Sequence, residues 1–267
     1  MARIGRNCVY VKVELQAEPV GDAWVSDSGI RRRKTGLSWD GKDTTGKSVE
    51  DKQIDLIKTA LVYNGVSEPD DKARKLGSYL VMLERHRDWG KLVSRSLPGA
   101  EAILVADSLA VVQVIECEAP AKVAEIGAGG GLLGIACAIA CPSWHITLIE
   151  SSSRKAAFLV EVAGALDLGN VRVENARAET LEAPGSFDIV LSRAAGKLRD
   201  LAPVALDMLS PRGRYIALKA SDPSREIADA EPVLAEASGR LVEAVSARYP
   251  DSLGVQRRAS LVVIEKL

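Results

Sequence analysis

Five glycines, Gly127, Gly129, Gly130, Gly131 and Gly134, fall within eight residues, directly after a short apolar run (Val123, Ala124, Ile126) that carries an acid, Glu125. Glycine lets a chain turn sharply from strand into helix and lets a ligand approach without meeting a Cβ. A second acid, Glu150, closes the run His145–Ile149 about twenty residues further on, where a two-oxygen acceptor suits the paired hydroxyls of a ribose. A third, Glu179, follows Ala178 after the next strand-like run and can meet an adenine edge. Arg193 ends yet another such run. These residues outline a site for a nucleoside-bearing cofactor with a cation beside it.

The spacing narrows the cofactor. A dinucleotide fingerprint reads GxGxxG, whereas Gly127, Gly129 and Gly131 read GxGxG and Leu132 stands at the place of the third fingerprint glycine. GxGxG after a strand bearing an acid is similar to the first motif of class I S-adenosylmethionine (SAM) methyltransferases. An exocyclic-amine acceptor would call for an Asn/Asp-Pro-Pro-aromatic stretch after the fourth strand, but Ser192-Arg193-Ala194-Ala195 is found there. A cytosine-C5 acceptor would need a cysteine nucleophile after proline, and Cys141-Pro142 is reversed and in another element. A ring nitrogen such as guanine N7 has a free lone pair and no proton to lose, so it needs no base. An arginine can grip the N7/O6 acceptor pair, and Arg193 is placed for that.

The elements that must hold these residues alternate. Strand-like runs at Lys122–Ile126, His145–Ile149, Val171–Glu174, Phe187–Leu191 and Arg214–Leu218 are separated by helical patterns near 131–140, 153–166 and 197–209. This implies an α/β fold with right-handed crossovers and a mostly parallel seven-stranded sheet. A helix near 223–238 is followed by Arg240–Arg248 and Ala259–Glu265, which pair as an antiparallel C-terminal hairpin. Upstream, three helices are expected: one from Val49 to a cap at Asn64-Gly65, one following Ser67-Glu68-Pro69 and running to about Trp89-Gly90, and one over Glu101–Cys117. The division is a loosely patterned extension over 1–50, with a strand at Val9–Leu15 and a basic run Arg31–Lys34, then a helical region over 51–118 and a methyltransferase domain over 119–267.

A net charge of −1 gives no global basic field, so a nucleic-acid partner must be held by local basic patches. The four cysteines lack metal-ligand spacing and sit in apolar surroundings, which fits core packing, a reducing cytoplasm and no metal site. No apolar run reaches the length of a membrane span.

From about residue 76 onward the order of motifs resembles the glucose-inhibited division protein B family, the bacterial 16S rRNA guanine-N7 methyltransferases. The matching pieces are Asp107-Ser108-Leu109, the turn Glu125–Ile135, Thr147–Ser151 with Arg154-Lys155 and Phe158-Leu159, Arg177-Ala178-Glu179, Ser192-Arg193-Ala194, Ala217-Leu218-Lys219 and Leu261–Ile264. The resemblance implies a Rossmann-like SAM-dependent fold preceded by helices. It further implies SAM binding by Glu125, Gly127, Ala128, Gly129, Gly131, Leu132, Glu150, Ser151, Ala178, Glu179 and Arg193. Arg193 and Lys219 would act on the acceptor side in catalysis, and Arg154 and Lys155 would help hold ribosomal RNA or the small subunit. Leu132-Leu133 replace the family's usual Phe-Pro, and Ile103-Leu104 replace an Arg-His pair. A SAM-binding module without turnover, contacting RNA or protein, and a small-molecule methyltransferase remain alternatives on the same residues.

Overall fold

The computed structural model describes residues 48–86, 100–115, 118–219, 222–250 and 256–267, without the side chains of Val49, Ala100, 247–250 and 256–259. The strand expected at Val9–Leu15, the basic run Arg31–Lys34, the Trp89-Gly90 helix end and Cys117 lie outside the described residues. All that is described belongs to one compact unit, Leu37–Leu267.

Helix α1 (Val49–Tyr63) opens on a reciprocal cap: Ser48 Oγ accepts from Asp51 N at 3.1 Å while Asp51 Oδ2 accepts from Ser48 N at 3.0 Å. Its buried stripe is Leu56, Ile57, Ala60 and Leu61. Helix α2 (Pro69–Arg85) starts with proline at its first position and buries Leu76, Tyr79, Leu80 and Leu83. Helix α3 (Ala100–Leu109) stops well short of Cys117 and tightens into a 3₁₀ turn over Ala110–Gln113. Ser108 Oγ donates to the Leu104 carbonyl at 2.8 Å, a side-chain bond that competes with continued α-helix.

Among the described residues seven strands then form one sheet in the order β3-β2-β1-β4-β5-β7-β6. Strands β1 (Ala121–Ile126), β2 (Trp144–Ile149), β3 (Val171–Glu174), β4 (Phe187–Arg193) and β5 (Leu209–Lys219) are parallel, and β7 (Gln256–Lys266) runs antiparallel between β5 and β6 (Gly239–Pro250). The expected hairpin therefore closes the sheet with its second strand inside and its first at the edge. Helices α4 (Gly134–Ala140), α5 (Ser153–Ala165), α6 (Leu198–Met208) and α7 (Ser224–Glu236) are the remaining α-helices of the described residues. Strand β5 begins five residues before its expected start, passing through Ser210-Pro211-Arg212-Gly213 with Arg212 at φ 69° and a register shift against β4.

Alternation along the strands sorts the core into two layers. Val123, Ile146, Leu148, Leu191, Ile216 and Val263 face α1–α5, whereas Ala124, Ile126, Ile149, Val190, Tyr215 and Val262 face α6 and α7. The first layer joins the three N-terminal helices and the sheet in one continuous apolar core. Lys72, buried on α2, donates to the carbonyl of Ala140 at the end of α4 at 3.0 Å, where the helix dipole favours a cation. Burial lowers its pKa despite the nearby charges of Glu118 and Glu68. Cys137 is a buried free thiol, as expected of core packing. Cys141 is disulfide-bonded, which corrects the expectation that all four cysteines are reduced, because spacing along the chain does not show which sulfur meets which in space. Among the described residues no helix is long and apolar enough to cross a membrane.

Candidate functional site

The strand order reverses between β1 and β4, and in open α/β sheets ligands bind at such a switch point, outside the carboxyl ends of the strands. A cleft of about 1020 Å³ opens there. Its wall is the turn after β1. Gly127 and Gly131 take φ of 70° and 88°, a region costly for any residue with a Cβ. A Cβ on Gly127 would also stand 2.9 Å from that of Ala195, so this glycine lets the turn close against the loop after β4. That loop carries its own strain, with Ala194 at φ 51°.

The turn is held from several sides. The amides of Gly127 and Ala128 donate to the Ile149 carbonyl at 2.9 and 3.0 Å, and Gly131 N donates to Ala128 O at 2.8 Å. Glu150, 6% exposed, accepts from Gly129 N through Oε2 and from Ser152 N through Oε1, both at 2.8 Å. Each carboxylate oxygen retains a lone pair for a ligand hydroxyl. Tyr79, reaching from α2, donates to the Gly130 carbonyl at 2.7 Å.

Glu125 is placed differently from an exposed ligand acid. It is 2% exposed, at the floor of the cleft, and its Oε2 accepts from Gly134 N at 2.9 Å, pinning the first residue of α4. Burial pushes its pKa up to about 8, against the Gly134 bond and the Arg193 charge, and with the help of the neighbouring Glu150 charge.

Arg193, at the end of β4, lines the cleft but is not free within it. Its Nη1 donates to the Leu104 carbonyl at 2.5 Å and to Ser108 Oγ at 2.8 Å, and Nη2 lies 3.9 Å from Asp107 Oδ2. The Asp-Ser-Leu motif is thus the seat of Arg193. Lys219, at the end of β5, donates to Glu226 Oε2 at 2.6 Å and to Gly196 O at 3.3 Å. Glu226 also accepts from Leu198 N at 3.1 Å. Burial would raise the Glu226 pKa, but the Lys219 bond, the Leu198 amide and the Lys219 and Lys197 charges outweigh it and hold the carboxyl below its usual value.

Of the residues expected at the site, Glu125, Gly127, Ala128, Gly129, Leu132, Glu150, Ser151, Lys155, Ala178, Glu179, Arg193 and Lys219 all line this one cleft. Gly131 is buried behind the turn, where its Cβ would strike Ile135 and Leu159, and Arg154 is exposed on α5, not among the lining residues. Sequence reasoning missed Leu104, Asp107, Ala195, Glu226 and the hydroxyl of Tyr79. Asp107 lay within a recognised motif, but Tyr79 carried only the signal of an apolar helical stripe.

A family model described as GidB, rRNA small subunit methyltransferase G, matches residues 72–251. The chain belongs to the GidB family. Ribosomal RNA small subunit methyltransferase G of Sorangium cellulosum (strain So ce56) is 38% identical over 177 residues, covering 64% of this chain and 74% of that protein. The protein of the same description from Bordetella avium (strain 197N) is 34% identical over 171 residues, covering 61% and 75%. Among solved structures, a SAM dependent methyltransferase from Aquifex aeolicus superposes with a TM-score of 0.51 at 15% identity, over 67% of this chain and 99% of that one, a likeness of fold. The GidB match begins inside α2 and so includes the helices that supply Tyr79 and the seat of Arg193.

SAM fits the residues present. The cleft is large enough for a nucleoside-bearing cofactor and is lined by the glycine turn, by Glu150, both of whose oxygens accept backbone amides, and by Ala178 and Glu179.

Proposed function

We propose that this GidB chain transfers the methyl group of SAM to N7 of a guanine in small-subunit (16S) ribosomal RNA. The observation that carries the reading is convergence: the family's motifs, dispersed from Asp107 to Lys219, line one cleft at the sheet's switch point. SAM supplies an electrophilic methyl on a sulfonium. The N7 lone pair forms the new C–N bond as the C–S bond breaks toward sulfur, and no proton need leave the base.

The protein's work is then alignment and charge placement, which supply much of the acceleration of an in-line transfer. The turn and Glu150 hold the donor. Arg193, fixed by Leu104 O and Ser108 Oγ, directs a guanidinium at the acceptor side, where O6 and N7 of guanine form an acceptor pair. Leu104 and Leu132 give the base apolar walls. N7-methylguanine is cationic, and the cleft wall carries Asp107, whose carboxylate already faces the Arg193 guanidinium at 3.9 Å. Lys155 and Arg177, which line the cleft, and Arg154, exposed next to Lys155 in the chain, are the cations that would hold phosphates. A ribosomal substrate assigns the protein to the cytoplasm.

The test is incubation of the purified chain with labelled SAM and unmodified small subunits or their RNA, followed by mapping. One labelled guanine is the expected result. Arg193→Ala is expected to lower kcat by at least tenfold while changing SAM affinity less than threefold, the pattern of a contact made in the transition state (about 1.4 kcal/mol per tenfold). Binding of SAM with no incorporation into any RNA would refute the proposal in favour of a module without turnover. Incorporation into a small molecule alone would refute the RNA substrate.

A further inference from the structure

We infer that Tyr79 is a positioning residue of the SAM site, holding the glycine turn through its bond to the Gly130 carbonyl in the shape that presents Gly129 to Glu150. It rests on SAM binding at this turn. Tyr79 is fully buried on α2, and its hydroxyl reaches the buried Gly130 at 2.7 Å, across 51 residues of sequence. The neighbouring Gly129 N donates to Glu150 Oε2 at 2.8 Å. Glu150 is itself fixed by Ser152 N at Oε1 and, through its carbonyl, by Asn175 Nδ2, each at 2.8 Å. One run of bonds therefore joins α2 to the acid placed for the ribose.

The turn needs such a restraint. Gly127, Gly129 and Gly131 all take positive φ and bring no side chain to packing, so each loses more backbone freedom on folding than another residue type would. Bonds to Ile149 fix its first two residues, and Glu125 fixes its exit at Gly134. Gly130 lies between these anchors, and among the described residues the side chain that reaches it from the N-terminal helices is Tyr79. The phenol stays protonated and so remains a donor: burial raises its pKa well above 10.0, the Glu125 charge adds to this, and Arg193 opposes it.

A tyrosine that merely fills the core would look similar, and Tyr79→Phe separates the two because it keeps the ring and removes the one oxygen. SAM binding is measured by calorimetry on the full chain, with turnover on small-subunit RNA at saturating SAM. The positioning role predicts a Kd for SAM raised about 3–10-fold, as expected for one hydrogen bond, with kcat changed less than about twofold. Leu83→Ala, which empties core space one turn further along the same helix and removes no hydrogen bond, should lower the melting temperature and leave the Kd for SAM unchanged. Wild-type affinity in folded Tyr79→Phe overturns the inference while the cofactor reading stands. Absence of SAM binding by the wild-type chain overturns both. Should Tyr79→Phe fail to fold, hydrogen exchange on the wild type decides: linkage requires SAM to slow exchange of the α2 amides around Tyr79 more than those of α1. Equal effects on the two helices would overturn the inference.

Discussion

Gly134→Ala tests the join between the cofactor turn and the core. Gly134 opens α4, outside the left-handed region, so its backbone accepts alanine, and alanine's helix preference would return at most about 1 kcal/mol. Space decides otherwise. A Cβ there would stand 2.3 Å from Glu125 Oε2 and 2.3 Å from Leu148 Cδ2, and both side chains are buried in the sheet under the helix. Forcing a methyl into a packed core costs about 1–3 kcal/mol. Moving Glu125 away also stretches its 2.9 Å bond from Gly134 N, at a further cost of about 1–2 kcal/mol. The expected net loss is about 2–3 kcal/mol, or roughly 5–10 °C in Tm for a chain of this size. Thermal unfolding of the wild type and variant, with and without SAM, measures it, and SAM affinity should fall as the turn shifts. A variant as stable as the wild type, or more stable, would refute the reasoning, since propensity would then have outweighed the clash.

Two further outcomes are expected. Glu150→Gln should weaken SAM binding at least tenfold by calorimetry, although it is isosteric. Both carboxylate oxygens accept backbone N–H groups, so an amide must turn its NH₂ toward either Gly129 N or Ser152 N, and losing a bond to a charged acceptor costs about 1.5–3 kcal/mol. Glu125→Gln should flatten the fall of stability with rising pH. The native carboxyl, raised by burial from its ordinary 4.5 to about 8, binds more protons than the unfolded one between those values, so this group's contribution to stability is fully present below pH 4.5 and is lost as pH rises through 8. The substituted amide keeps an oxygen for Gly134 N and has no proton to release. Denaturation midpoints at pH 5 and pH 8 should therefore differ less in the variant, and equal differences would contradict the assignment.

What the sequence showed and what it hid divide along contact range. The strands carrying Glu125, Glu150 and Arg193 were legible because a two-residue period and a following glycine or acid are local signals, and the cleft gathers those residues as their spacing implied. The GxGxG spacing likewise pointed to SAM before any geometry. Element ends were less legible where a distant group intervenes. The apolar run through Ala110, Val111 and Val112 reads as continued helix, yet α3 stops at Leu109, where Ser108 bonds back to Leu104 O and Arg193, 85 residues further on, takes both. The fifth strand is expected from Arg214, but β5 begins at Leu209, opposite Phe187, and reaches Arg214, opposite Ile189, only after a register shift.

The same contrast explains the two acids. Glu125 and Glu150 look alike in sequence, each at the end of an apolar strand, and both were expected to face the cofactor. Their positions relative to the pleat separate them. Glu125 lies within β1 on the face shared with Val123, under α4, and its partner is the helix's own amide. Glu150 lies one residue past β2, beyond the last ladder position, and turns back to the amides at the mouth of the cleft. Burial is similar, at 2% and 6%, so exposure alone would not tell them apart. The difference of one residue across a strand end is what makes one acid a part of the floor and brings the other to the amides of Gly129 and Ser152.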